Sequence, residues 1–258
     1  MDEAGGEELP EFASFDGVRL HYELEGSGPP VVLLHSFPFD SRVWVDTGVA
    51  AGLVEGGRQA VLLDRRGQGR SEKPHDPAAY ADNACARDVF ALLDHLGLDW
   101  SDLLAYSLGA QIGLRVLQVE RRIRRAVLGG IGEAVLGWNE GAAIAVAEVL
   151  ERDEAELDEG DRALRARVDR LGGDRFALGA MGRGRYVNYD RDFSMVGAAV
   201  LIINGERDLD FGDPARLAAL IPRATATFID ADHASTMDNL QFLRLAPSFL
   251  AVGVGGAD

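Results

Sequence analysis

Cysteine is almost absent from this chain of 258 residues, because Cys85 is the only one. A single thiol excludes an intramolecular disulfide, and a protein without disulfides suits a reducing compartment. Cys85 falls in a helical pattern of apolar residues, where an unpaired cysteine behaves as a small hydrophobic side chain. We therefore expect Cys85 to be a core residue and not a reactive thiol.

Basic residues are scarce as well, since 26 lysines and arginines stand against 42 aspartates and glutamates, a formal charge of -16 at pH 7. Nucleic acids and anionic membranes are bound by basic surfaces, so neither partner is expected. We expect a small-molecule partner instead. The sequence leaves the oligomeric state open.

Long apolar runs are missing. No segment approaches the roughly 18 apolar residues of a membrane-spanning helix. Residues 1–8 are acidic, whereas a secretory signal would be basic and then apolar. These features predict a cytoplasmic protein.

Metal and cofactor motifs are missing too. The five histidines are scattered, and neither H-E-x-x-H nor a cluster of Cys and His occurs. The paired glycines do not lie at a strand-to-helix junction, where a phosphate-binding loop would be found. We expect neither a metal nor a cofactor.

The chain does contain short, continuous apolar runs bounded by turn residues. Such runs are typical of strands buried on both faces of a mostly parallel sheet. Asp16-Gly17 is a hairpin signal between the segments 12–15 and 18–24, and it predicts an antiparallel start. The predicted parallel strands are 31–34, 60–63, 103–105, 126–128, 200–203 and 225–229.

Helical patterns separate these runs, for example Val89, Leu92 and Leu93 with Gly97 as a C-terminal stop. The alternation predicts an α/β fold, a doubly wound sheet of about eight strands with helices on both faces. Residues 133–197 interrupt this alternation of strands and helices, because they show helical patterns and no strand pattern. We predict that this insertion is a small helical lid on a core of residues 1–132 and 198–258.

One serine lies where a strand gives way to a helix, in the stretch Leu-Ala-Tyr-Ser-Leu-Gly-Ala at 104–110. A nucleophilic serine at such a turn adopts a strained backbone, and the chain packs closely only if the residues two before and two after are small. Ala105 and Gly109 meet that demand. The helix that begins at Leu108 points backbone N–H groups toward Ser107. The pattern predicts a nucleophile, which needs a base nearby.

Among the histidines, His233 alone follows the last predicted strand. It therefore lies at the carboxyl edge of the sheet, where Ser107 also emerges. The acid that orients this base should follow a strand that ends at the same edge of the sheet. Asp208 is the preferred candidate, and Asp210, Glu206 and Glu133 remain alternatives.

These motifs resemble the α/β-hydrolase fold family over about residues 12–250, apart from the predicted lid. Alanine takes the first glycine position of the family's G-x-S-x-G nucleophile elbow. The other matching segments are the oxyanion loop at 33–38, the turn D-x-R-G-x-G-x-S at 64–71, and the acid and histidine positions at 205–208 and 232–233.

The resemblance implies an acyl-enzyme mechanism without a cofactor. Ser107 would attack a carbonyl carbon, His233 would carry the proton, and Asp208 would stabilise the imidazolium. The backbone N–H groups of Phe37 and Leu108 would bind the oxyanion. The family's haloalkane dehalogenases and epoxide hydrolases use an aspartate at the elbow, so Ser107 argues against both.

Two positions depart from the family pattern. Ser36 replaces a glycine in the oxyanion loop, which leaves the geometry at Phe37 open. Asp232 replaces the glycine that often precedes the histidine. Asp232 either adds a negative charge beside His233 or faces solvent.

The leading hypothesis is a serine hydrolase that acts on a small ester, thioester or lactone. A C–C bond hydrolase and a cofactor-free haloperoxidase or perhydrolase are alternatives within the fold. A hydrolase-like protein that binds a ligand with little turnover is an alternative of another class.

The substrate pocket is predicted between the sheet edge and the lid. The candidate lining residues are Trp138, Met181, Tyr186 and Phe193, each of them equally a candidate core residue. Arg183, Arg185 and Arg191 would either receive a carboxylate-bearing substrate or form a solvated face.

Overall fold

The computed structural model describes residues 10–137, 140–184, 186–208 and 210–251. The strands are β1 Glu11–Ala13, β2 Arg19–Glu25, β3 Pro30–Leu34, β4 Gln59–Leu63, β5 Ser101–Tyr106, β6 Ile123–Gly129, β7 Ala199–Gly205 and β8 Ala224–Ile229. The α-helices are α1 Val43–Asp46, α2 Val49–Glu55, α3 Ala84–His95, α4 Leu108–Val119, α5 Glu140–Glu151, α6 Glu159–Arg170, α7 Arg175–Arg183, α8 Pro214–Ala218 and α9 Leu240–Ala251. A membrane crossing needs a longer and more apolar helix than any in these ranges.

The eight strands form one sheet in the order β1-β2-β4-β3-β5-β6-β7-β8. β2 pairs antiparallel with β1 and with β4, and the other neighbouring strands are parallel. The predicted mostly parallel sheet of about eight strands with an antiparallel start is confirmed. The chain changes direction across the sheet between β3 and β5, and at such a switch point the loops leave a crevice at the carboxyl ends of the strands.

Strand β3, in the middle of the sheet, is apolar at every position because helices cover both faces of the sheet. Val32 and Leu34 of β3 join the core that includes α3 and α4, whereas Val31 and Leu33 join the core that includes α2 and α9. All four side chains are fully buried. Cys85 of α3 lies in the first core, as predicted, and burial raises the pKa of its thiol to about 12.

The turn after β4 ties together the loops near the switch point. The Asp64 carboxylate accepts hydrogen bonds from the backbone N–H groups of Ser41 and Arg70, both at 2.8 Å. A Cβ at Gly69, where φ is +55°, would lie 2.3 Å from that carboxylate, so only glycine fits there. Ser71 Oγ donates to the Asp64 carbonyl oxygen at 2.6 Å. The D-x-R-G-x-G-x-S motif thus encodes a hydrogen-bonded turn.

The described part of residues 133–197 contains helices and no strand. α5 and α7 pack so closely that a Cβ at Gly182 would lie 2.6 Å from the Ala143 carbonyl oxygen. α7 also contacts the 3-10 helix Pro77–Tyr80, and a Cβ at Gly184 would lie 2.4 Å from the Pro77 carbonyl oxygen. This close docking places the helices of the insertion against the rest of the chain. That the insertion acts as a lid stays a prediction.

Candidate active site

Ser107 directly follows β5 and precedes α4, with φ 51° and ψ −116°. A backbone conformation with positive φ costs a residue other than glycine on the order of 1–3 kcal/mol, so the surrounding contacts must hold Ser107 in this conformation. The Ser107 N–H donates to the Gly129 carbonyl oxygen of β6 at 2.8 Å, and the Ser107 carbonyl oxygen accepts from the Gln111 N–H at 2.9 Å. A Cβ at Gly109 would lie 2.1 Å from the Leu34 carbonyl oxygen, so α4 reaches β3 only with glycine at this position.

The structure brings Ser107, Asp208 and His233 together from the loops after β5, β7 and β8. His233 Nε2 lies 2.9 Å from Ser107 Oγ, and His233 Nδ1 lies 2.7 Å from Asp208 Oδ2. The Asp208 side chain is fully buried. An ionised carboxylate can only accept a hydrogen bond, so Nδ1 carries the hydrogen and Nε2 accepts from the serine hydroxyl. This is the arrangement in which a histidine can take the serine proton.

The other candidate acids point elsewhere or lie outside this chain of hydrogen bonds. Glu133 accepts a hydrogen bond from the Asp213 backbone N–H and lies 3.5 Å from Arg216 Nη1. Glu206 is exposed. Asp210 is exposed as well, but it lines the cavity that contains Ser107. Only Asp208, among the candidates named from the sequence, bonds to His233.

Residues that the sequence analysis did not single out hold His233 in place. The Tyr106 hydroxyl donates to the His233 carbonyl oxygen at 2.6 Å, and the Phe211 ring lies 5.4 Å from the imidazole between centroids. Gly130 has φ +64°, and a Cβ there would lie 3.0 Å from His233 Cε1. The sequence offered only their positions as a signal that these residues contact the histidine: Tyr106 precedes Ser107, and Phe211 lies three residues after Asp208.

The backbone N–H groups of Phe37 and Leu108 fit the predicted oxyanion-binding role. Both residues line the cavity of Ser107, and neither N–H donates a hydrogen bond to another described residue. Ser36, which replaces a glycine here, is buried and is not among the described residues with positive φ. Its carbonyl oxygen accepts from the Phe39 N–H at 3.1 Å. The loop therefore accommodates serine without backbone strain.

Asp232, the second departure from the family pattern, faces solvent. Its carboxylate accepts hydrogen bonds from the Ser235 hydroxyl at 2.7 Å and the Ser235 N–H at 2.9 Å. Both bonds lower the pKa of Asp232, and the bond from the hydroxyl has the larger effect. The carboxylate thus closes the turn that carries His233 and does not bond to its ring.

His35 supports the oxyanion loop from the interior. It is fully buried, its Nδ1 donates to the Ser36 carbonyl oxygen at 3.1 Å, and its Nε2 accepts from the Arg65 N–H at 3.2 Å. Burial, and then the charge of Arg65, lowers the pKa of His35 well below its usual range. His35 is therefore neutral in the folded protein near neutral pH.

Acidification is expected to destabilise the protein through His35. Below about pH 6.5 the unfolded chain binds a proton at this residue that the folded chain does not, so the free energy of unfolding falls by up to about 1.4 kcal/mol per pH unit. Urea unfolding at pH 7.5 and 5.5 measures this loss. The His35→Gln variant, which does not titrate, should lose about 1.4 kcal/mol less than the parent over that interval. Equal losses in the two proteins would contradict the assignment.

A cavity of about 250 Å³ opens over Ser107 and His233. Met181 and Tyr186, two of the predicted pocket residues, line it. Phe193 takes the other position that the sequence left open, since it is buried in the first core and does not line the cavity of Ser107. Core packing decides its position. Trp138 lies outside the described residues.

Asp208, Asp210 and His233 lie close enough together to be compared with a metal site. One ligand atom of each lies within 4.8 Å of the other two. However, both ring nitrogens of His233 already bond to Asp208 and Ser107. A metal would have to displace one of these partners, so the geometry fits proton transfer better.

Comparison with known proteins places the chain in a family. A family model described as the alpha/beta hydrolase fold matches residues 29–159, which is about half of the sequence. The chain belongs to the α/β-hydrolase fold family. The resemblance carried by the elbow and the turn motifs is thereby confirmed.

The curated relatives within this family match only part of their own length. An epoxide hydrolase from Caballeronia sordidicola is 34% identical over 95 residues, which are 37% of this chain and 28% of that protein. A non-heme chloroperoxidase from Kitasatospora aureofaciens is 32% identical over 128 residues, which are 50% of this chain and 43% of that protein. The chain thus spans less than half the length of these relatives.

A solved structure agrees with the chain over nearly all of its length. It belongs to an N-acyl homoserine lactone degrading enzyme, with a TM-score of 0.72 and 25% identity, and the match covers 93% of this chain and 100% of that one. The resemblance therefore includes the insertion as well as the sheet.

Proposed function

We propose that the protein is a cofactor-independent serine hydrolase that acts on a small ester, thioester or lactone. The observation that carries this proposal is the unbroken hydrogen-bonded chain from Ser107 through His233 to the buried Asp208. The cavity of about 250 Å³ beside it suits a small molecule.

In the acylation step, Ser107 Oγ attacks the carbonyl carbon while His233 Nε2 takes its proton. The imidazolium that forms is stabilised by the Asp208 carboxylate, which is buried and 2.7 Å from Nδ1. His233 then returns the proton to the leaving alcohol, thiol or ring oxygen, and an acyl-serine ester remains.

Negative charge develops on the carbonyl oxygen during this attack. The N–H groups of Phe37 and Leu108 donate to that oxyanion, and one such donor is worth about 3 kcal/mol. Water then attacks the acyl-serine with His233 as base, so the acid product carries the water oxygen and Ser107 regains its proton.

The chloroperoxidase relative supports a second candidate, perhydrolysis at the same site. Hydrogen peroxide would replace water as the attacking molecule, and the acyl-serine would leave as a peracid without any net redox change at the protein. Epoxide opening is not proposed, because the elbow carries serine where the resemblance assigns an aspartate to epoxide hydrolases.

Rapid mixing with p-nitrophenyl acetate, butyrate and octanoate tests the proposal. We expect a burst of p-nitrophenol that approaches one equivalent of enzyme, followed by slower turnover, because acylation of Ser107 precedes deacylation. A fluorophosphonate should form a stoichiometric adduct, located on Ser107 by peptide mass spectrometry.

The two readouts separate the proposed function from the alternatives. If p-nitrophenol is released no faster than in buffer and the fluorophosphonate does not label Ser107, the hydrolase proposal is overturned in favour of ligand binding. Peracid formation that outcompetes hydrolysis at millimolar peroxide would favour the perhydrolase.

A further inference from the structure

A second cavity adjoins the one that contains Ser107. Its volume is about 280 Å³, and four residues line both cavities: Gln111, Ala143, Gly182 and Tyr186. The two spaces therefore adjoin each other at these four residues. An acyl group bonded to Ser107 that is too long for the first cavity has the second one next to it.

Gln111 places a polar group where the two cavities meet. Its side chain is nine-tenths buried or more, and it lies one helical turn after Ser107. The Gln111 Oε1 accepts from the Tyr186 hydroxyl at 3.2 Å, whereas Nε2 donates to none of the described residues. The amide N–H₂ is thus a donor for an acceptor atom of a bound molecule.

The second cavity has a cation in its wall. Of the three arginines that the sequence offered for a carboxylate, Arg183 pairs with Glu151, and Arg185 lies outside the described residues. Arg191 lines the second cavity, and no carboxylate of a described residue lies within salt-bridge distance of it. Its guanidinium is a planar fork that matches the two oxygens of a carboxylate.

The charges of the two cavities are arranged with opposite signs. The carboxylate of Asp210 belongs to the cavity of Ser107, near His233, and Arg191 belongs to the neighbouring cavity. A negative charge on the substrate is repelled at the first position and attracted at the second. A carboxylate at the far end of the acyl group satisfies both conditions.

We infer that the acyl part of the substrate ends in a carboxylate, which Arg191 binds in the second cavity with a further hydrogen bond from Gln111 Nε2. This inference rests on the proposed hydrolase function and names its substrate class, the monoesters of dicarboxylic acids. The products are the dicarboxylic acid and the alcohol, formed by addition of one water across the acyl C–O bond.

Monoethyl esters of straight-chain dicarboxylic acids test the inference, each compared with the ethyl ester of the monocarboxylic acid of equal chain length. At the chain length that spans the two cavities, we expect the parent to show a kcat/KM at least tenfold higher for the charged ester. Arg191→Gln should lower kcat/KM for the charged ester by about 10- to 100-fold, the range for a lost hydrogen bond to a charged group. Its kcat/KM for the neutral ester should stay within about twofold of the parent value.

Arg162→Gln is the matched control, because Arg162 is an exposed arginine of α6 that lines neither cavity. Arg162→Gln removes the same charge, and it should leave kcat/KM for the charged ester and for the neutral ester unchanged. Gln111→Leu removes the amide donor, so it should lower kcat/KM for the charged ester more than for the neutral ester. Added to Arg191→Gln, it should not restore the preference for the charged ester.

Direct binding separates the failure of this inference from the failure of the proposed function. Monoethyl suberate is measured by calorimetry in proteins that also carry Ser107→Ala, so that the ester is not turned over. It should bind when Arg191 is present, with or without Arg162→Gln, and should not bind Arg191→Gln. Turnover of neutral esters with no dependence on Arg191 would overturn the inference and leave the hydrolase function standing. Binding of monoethyl suberate that depends on Arg191, without turnover of any ester by the parent protein, would overturn the hydrolase function instead.

Discussion

Replacement of Ser107 by alanine is expected to lower kcat for a p-nitrophenyl ester by on the order of a million-fold, the scale known for removal of a triad nucleophile. The remaining protein still has His233, Asp208 and the oxyanion donors, but it can form no acyl intermediate. The fold should be unaffected, because alanine keeps the Cβ of Ser107 and loses only the hydroxyl. Steady-state kinetics and a urea unfolding curve of the same preparation measure both effects.

The other members of the triad give effects of different size. Asp208→Asn should cost about 10⁴-fold in kcat, because the amide no longer fixes the tautomer of His233. A double variant of Ser107→Ala and His233→Ala should be no worse than Ser107→Ala alone, since the residues act as one unit.

Ser248→Ala is the control for these variants, because Ser248 is an exposed serine of α9 that lines neither cavity. It should keep the full activity of the parent. If Ser107→Ala retained a tenth or more of the parent kcat, Ser107 could not be the nucleophile.

Replacement of Arg66 by methionine is expected to reduce the free energy of unfolding by about 3 to 5 kcal/mol. The Arg66 guanidinium is fully buried and bonds to both carboxylate oxygens of Asp88, at 2.7 Å from Nε and 2.5 Å from Nη2. A further bond of 2.8 Å reaches Asp16. Methionine would leave the buried Asp88 without its counter-charge, which is costly in an apolar interior. Urea unfolding with a linear extrapolation measures the loss.

The adjacent Arg65 is a matched control of the same residue type and burial. None of the described carboxylates lies within salt-bridge distance of its guanidinium, and burial lowers its pKa to about 10. Arg65→Met should therefore change stability by less than about 1 kcal/mol or increase it. Equal losses for the two variants would show that packing and not charge pairing stabilises this region. If Arg66→Met does not fold, Arg66→Lys, which keeps the charge and loses the two-pronged contact, should show a smaller loss.

Local pattern accounts for much of the fold. Each predicted parallel strand lies inside an observed one. A strand that is buried on both faces needs apolar residues at consecutive positions, and such a run is recognisable in the sequence. The hairpin at Asp16-Gly17 and the serine between β5 and α4 were equally local signals. In both cases the required backbone conformation limits the residue types within a few positions.

The pocket residues show where local pattern ends. Tyr186 and Phe193 are aromatic residues of the same insertion and both pack in the first core, but of the two only Tyr186 also lines the cavity of Ser107. Nothing within a few residues of either distinguishes them. Their placement depends on how α5 and α7 dock against the sheet, which involves contacts between distant parts of the chain.

The sequence by itself determined the fold class, the mostly parallel sheet and the identity of a candidate nucleophile and base. It left four carboxylates open as the acid, and only the tertiary structure selected Asp208, through a bond to a histidine 25 residues away. Ser107 and His233 meet across 126 residues. Tertiary structure likewise set Arg191 and Asp210 in the walls of adjoining cavities. The physical reason is that periodicity and turn chemistry act over a few residues, whereas a site is defined by distances between loops that only the assembled sheet brings to one edge.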